Sequence, residues 1–214
     1  MMRPAAACLI GLALLFCGPS AAVAKNRHAS KCQKLAKRYA DIATSRKLVT
    51  VVRGNDETGA ISACVLPRGK VRTLTSWDDG LGRQSAAVVA TAGTWVLVSE
   101  RWGDQYGGLS RVLTRHDARH GTPFGLSGYG CQIPLGSPGS CSTGTDFSEV
   151  GLARTGAGAI ELDDFETNTT TLQAFDAAGT FTKLADGPID HLRVTSTQIT
   201  WSQGETDHAA PLPG

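Results

Sequence analysis

The sequence has 214 residues, 41% hydrophobic and 19% charged, with 21 lysines and arginines against 19 acids for a net charge of +2. A near-neutral chain of this length supports one substantial domain with its own core, and its balance gives no reason to expect nucleic acid as a partner. Two motif-bearing chemistries also fall away: Gly125-Leu-Ser-Gly-Tyr129 fails the G-x-S-x-G pattern, and no G-x-x-x-x-G-K-[ST] loop occurs.

The N-terminus predicts a secretory leader over residues 1–24. Arg3 supplies the positive segment, Ala5 to Phe16 the apolar one, and Ala22-Val23-Ala24 a small-x-small cleavage site. The apolar run to Cys17 is shorter than the roughly 20 residues a membrane span needs. A lipoprotein leader would acylate Cys17, but Phe16 stands where such leaders carry a small residue. The expectation is soluble export, to the periplasm or beyond, of a mature chain of 190 residues.

Residues 25–46 read as a basic helical arm. Between Ala29 and Ala43, Cys32, Leu35, Tyr39 and Ile42 recur at three- and four-residue steps, with Ser30 as N-cap. From Lys25 to Arg53 the charge is +8, and from Gly54 onward it is −7. The arm is therefore expected to lie over an acidic body, or to hold an extracellular glycan or an anionic envelope surface.

Removing the leader leaves Cys32, Cys64, Cys131 and Cys141, which in an exported chain predict two disulfides. Cys131 and Cys141 flank a loop rich in Gly, Pro and Ser, so a local bridge there leaves Cys32 to pair with Cys64. The loop-entropy model gives them roughly 3 and 4 kcal/mol respectively. No C-x-x-C supports a zinc site in their place.

From residue 47 to 214 the texture becomes all-β, with short β-branched runs punctuated by Gly, Thr, Ser and Asp. The runs fall into four units. The first joins Leu48–Val52, Ala60–Leu66 and Lys70–Leu74; the second spans Ala87 to Gly121; the third spans Val150 to Leu184; the truncated fourth runs from His191 to Leu212. The fuller units read as a hairpin, a variable loop and a second hairpin, and four units across residues 47–212 average about 41 residues each, within the range of propeller blades. Such a unit cannot bury both faces alone and must pack against its neighbours. The Phe175-Asp-Ala-Ala-Gly179 turn and the Leu192-to-Trp201 hairpin make residues 47–212 resemble secreted β-propeller-like repeat proteins. That resemblance implies a ring-like array in which an N-terminal strand completes the last unit. An irregular β-sandwich is the alternative architecture.

Three constellations invite chemistry. His116-Asp117-Ala118-Arg119-His120 has the histidine spacing of an H-E-x-x-H zinc helix, but Asp is one methylene shorter than Glu and glycines bound the segment on both sides. Aligned with the 175–179 segment, it reads instead as a strand-connecting turn, Asp bonding the backbone and Gly taking positive φ. Glu161, Asp163, Asp164 and Glu166 gather four carboxylates, able in principle to hold calcium or to act as acid and base on a glycan, and able equally to guard a strand edge. Trp102, Asp104 and Tyr106 sit in a Gly-bounded loop suited to stacking on a sugar ring, or to anchoring a long hairpin. Asn168-Thr169-Thr170 matches a glycosylation sequon.

The sequence thus predicts a non-enzymatic binding or structural module, without cofactor or metal. Its candidate ligand residues are Trp102, Asp104 and Tyr106, and its unnamed partner is an extracellular glycan or an anionic surface. A glycan-directed hydrolase or lyase built on the acids at 161–166 is the alternative.

Overall fold

A computed structural model describes Cys32, Leu35 and residues 48–214 apart from 55–57, 67–68, 79–83, 104–107, 122 and 133–142. At 84, 103, 108–109 and 127–132 it describes the backbone alone. The expected leader and most of the expected arm lie outside the described residues.

Fourteen antiparallel strands follow one another among the described residues. β1 (Leu48–Gly54), β2 (Thr58–Val65) and β3 (Arg72–Asp78) form one sheet in chain order. β4 (Gln84–Ala92), β5 (Trp95–Gly103), β6 (Gly108–Asp117) and β7 (Pro123–Gln132) form the second. The third holds β8 (Thr143–Leu152), β9 (Gly158–Asp164), β10 (Thr169–Phe175) and β11 (Phe181–Asp186). The fourth holds β12 (Asp190–Val194), β13 (Gln198–Gln203) and β14 (Thr206–Pro211). Only Cys131↔Gly144 and Gln132↔Thr143 pair β7 with β8, so the continuous ladder from β4 to β11 divides there into two four-stranded sheets.

The packing follows from strand alternation, which sends successive side chains to opposite faces. In β5, Val96 and Val98 join Leu48, Ile61, Leu74 and Trp77 of the first sheet in one core layer. Leu97, between them, joins Leu113 and Leu126 against Phe147, Ile160 and Phe175 of the third sheet. In β9, Ile160 faces that layer while Ala159 belongs to the next, with Leu172, Ile199 and Trp201. This explains why Trp95-Val-Leu-Val98 is apolar without interruption: both faces of the central sheets are buried. Each fully buried leucine or valine contributes about 2 kcal/mol of transfer free energy, so the three layers carry the fold.

The outer face of the first sheet has its own cover. Val49, Val51 and Cys64 pack with Cys32 and Leu35, both of which have helical backbone, and a disulfide joins Cys32 to Cys64. Among the described residues, the expected exchange of an N-terminal strand into the last sheet is not seen. β1 pairs with β2 along its whole length, because Leu48 and the disulfide-linked Cys64 region bury it in the first sheet, and the fourth sheet stays three-stranded among the described residues.

The first strands of the later sheets lie side by side: β4 approaches β8, and β8 approaches β12. Their C-terminal ends therefore gather at one end of the molecule, together with the β6–β7 and β10–β11 turns.

Candidate functional site

The 116–120 segment lies across the end of β6 and the turn into β7. The amides of His120 and Gly121 donate to the Asp117 carbonyl at 3.0 and 2.7 Å, and Gly121 has φ +74°, a conformation glycine adopts without a Cβ penalty. The Asp117 carboxylate accepts from the Arg119 amide at 3.0 Å and from Arg119 Nη2 at 2.7 Å. Burial pushes the Asp117 pKa up, but hydrogen bonds from Arg119 and Thr94 and the Arg119 charge outweigh it and hold it at about 2. The 176–180 turn repeats this grammar: the Gly179 amide donates to the Asp176 carbonyl at 3.1 Å, the Thr180 amide to the Asp176 carboxylate at 2.8 Å, and Gly179 has φ +84°.

The two histidines do not converge. His120 is exposed on the turn, 3.2 Å from the Asp117 carboxylate, whereas His116 is 1% exposed inside the strand, with neither ring nitrogen hydrogen-bonded. Desolvation lowers the His116 pKa to about 4, so the ring is neutral at pH 7. Among the described residues, no group of three His, Cys, Asp or Glu side chains is placed to hold a metal ion.

Arg115, one residue earlier, is the polar centre that sequence reading passes over. It is 1% exposed. Its Nη2 donates to the Ala177 carbonyl at 2.6 Å and its Nη1 to the Asp176 carbonyl at 3.1 Å and to the Gly156 carbonyl. The guanidinium lies 5.0 Å from the Trp95 ring and 4.8 Å from that of Phe124. Burial lowers its pKa and the Asp176 charge raises it in opposition. A strand of the second sheet is thereby fastened to two turns of the third. The available signal is the alternation itself, which puts Arg115 on the same face of β6 as buried Leu113.

The acidic cluster is spread over a hairpin. Glu161 is buried, accepting from Ser148 Oγ and from the Ile189 amide at 2.8 Å, so it fixes the connection into β12. Asp163 accepts from Thr170 Oγ1 at 2.8 Å, and Asp164 caps the β9–β10 turn through the amides of Glu166 and Thr167 at 2.9 and 3.1 Å. Glu166 lies exposed in that turn, beside Asn168 of the sequon at φ +50°. Opposite Asp163 on β8, Asp146 is neutralised by Arg111 at 2.7 Å.

Trp102 is 43% exposed near the end of β5, across from Ser110 of β6. Asp104 and Tyr106 lie outside the described residues, as does Cys141. Cys131 falls in β7. Trp201 is buried, stacked on His208 with 5.5 Å between ring centroids, and Trp95 is half-buried.

At the opposite end of β5 from Trp102 is a cleft of about 550 Å³ where β4, β8 and β12 end. Thr91, Leu152, Arg154, Val194 and Ser196 are among its lining residues.

Among the described residues, the fold and these contacts define an all-β body of four antiparallel sheets. No protein-family model and no curated protein matches the chain. Among solved structures it is similar to TolB from Acinetobacter baumannii, with 11% identity and a TM-score of 0.41 over 86% of this chain and 43% of TolB. The chain thus covers less than half of that protein's length. Among the described residues, no helix is long and apolar enough to cross a membrane.

Proposed function

We propose that the chain is an exported, propeller-like β-repeat protein that recognises a ligand through its inter-strand loops without turning it over. The observation that carries this reading is how the buried polar side chains are used. Arg115 fastens two sheets, Asp117 closes a turn, and Glu161 holds the connection into β12. These groups build a scaffold, and what the scaffold presents to solvent includes the indole of Trp102. An exposed indole beside a polar loop is suited to stack on the apolar face of a sugar ring. Export is supported by the leader-like residues 1–24 and by the Cys32–Cys64 disulfide, a bond that persists in oxidising compartments.

Glycan-array binding of the mature chain and of Trp102→Ala tests the reading. Binding that disappears in the variant, with the variant folded by circular dichroism, is the expected result. The hydrolase alternative expects cleaved glycan, lost in the Asp163→Asn, Asp164→Asn double variant.

A further inference from the structure

The geometry points to a second binding site, distinct from the Trp102 loop: the cleft at the ends of β4, β8 and β12 takes a small ligand bearing a single carboxylate, held by Arg154.

The cleft has a mixed lining. Leu152 and Val194 give it an apolar wall, and Thr91 and Ser196 bring hydroxyl groups. Arg154 supplies the charge. It stands in the β8–β9 turn with its aliphatic stem over Gly93, where a Cβ would lie 3.3 Å from Arg154 Cγ. Two other arginines near this end are committed, Arg115 to three carbonyls and Arg119 to Asp117, and neither Arg72, against the Gly121 turn, nor exposed Arg193 is among the cleft's lining residues. Arg154 has no hydrogen bond or ion pair among the described residues, and no acidic side chain lines the cleft there.

Charge sets the ligand class. One uncompensated guanidinium matches one negative charge and offers the two-pronged donor geometry that a carboxylate accepts. A phosphate dianion would leave a charge unmatched beside Leu152 and Val194. The hydroxyls of Thr91 and Ser196 fit polar groups next to the carboxylate, and the apolar wall fits a ring or side-chain face. A uronic acid and the C-terminal carboxylate of a peptide share this chemistry.

Isothermal titration of the mature chain tests the site with galacturonate, with its methyl ester, with an N-acetylated dipeptide, with that dipeptide's C-terminal amide, and with inorganic phosphate. Saturable binding of galacturonate or of the free-acid dipeptide is expected, whichever of the two binds identifying the source of the carboxylate. The ester and the amide should bind about tenfold or more weakly, as should the acid to Arg154→Gln, since a charge-assisted pair is lost. Arg193→Gln, which removes an exposed arginine outside the cleft lining, should bind as the parent does. Thermal unfolding should match across the variants. The proposal is overturned by an acid and its neutral derivative binding alike, by phosphate binding more tightly than either acid, by full binding to Arg154→Gln, or by no binding of either acid up to about 10 mM.

Discussion

Arg115 Nη2 donates to the carbonyl oxygen of Ala177 at 2.6 Å, across the boundary between the second and third sheets. The same guanidinium reaches the carbonyls of Asp176 and Gly156, so a single side chain ties β6 to the turns that follow β8 and β10.

Removing that tie should be costly. Arg115→Met keeps the stem but leaves three carbonyls without their donor, and Arg115→Lys cannot reproduce the planar fork. Both should lower unfolding stability by about 3 kcal/mol or more in urea titrations. Arg193→Gln, at an exposed site, should stay within about 0.5 kcal/mol of the parent.

Stability should fall in two steps as the solution is acidified. His116 is held neutral, with a folded-state pKa of about 4 against an ordinary value of 6.5. The unfolded chain therefore binds the extra proton first, and about 3 kcal/mol is lost as pH drops from 6.5 to 4. Asp117, held at about 2 against 3.8, adds a further loss as pH falls from about 4 to 2. His116→Leu should abolish the upper step and, by removing two unpaired buried nitrogens, match or exceed the parent's stability at pH 7. Chemical denaturation at a series of pH values measures both steps.

The turns should discriminate sharply between glycines. At Gly179, φ is +84° and a Cβ would lie 2.5 Å from Phe124 Cε1, the ring that stacks on Arg115. Gly179→Ala should cost about 1–3 kcal/mol. Gly204 has φ +60° but open space around it, and Gly204→Asn should cost little, since asparagine tolerates the left-handed region. Melting temperatures of the two variants compare them directly.

The Cys32–Cys64 bond closes a loop with a sequence separation of 32. Its loss in the double alanine variant should cost about 4 kcal/mol, read as a shift of the denaturation midpoint. Because Cys32 and Leu35 cover Val49 and Val51, hydrogen exchange should quicken first in β1 and β2.

The four-unit division was readable because turn chemistry and strand alternation are local: Asp117 with Gly121 and Asp176 with Gly179 mark equivalent hairpins in the sequence and in the structure. β7 left no such trace. Its segment, Pro123 to Gln132, has three glycines among ten residues and no β-branched side chain, and it is a strand because β6 pairs with it from Gly108 to His116. Arg115 and Glu161 were hidden for another reason. A charged residue in a strand reads as solvent-facing, and only the third sheet's turn carbonyls and the Ile189 amide make their burial favourable. The cleft was illegible because its walls come from β4, β8 and β12, about forty residues or more apart in sequence from one to the next, and meet only through the stacking of the sheets.

The central claim is recognition without turnover, and chromatography of glycans after prolonged incubation with the mature chain tests it most directly. The account predicts glycan that is retained by the parent, released by Trp102→Ala, and recovered at unchanged length. Shortened or unsaturated products that vanish in Asp163→Asn, Asp164→Asn would contradict it.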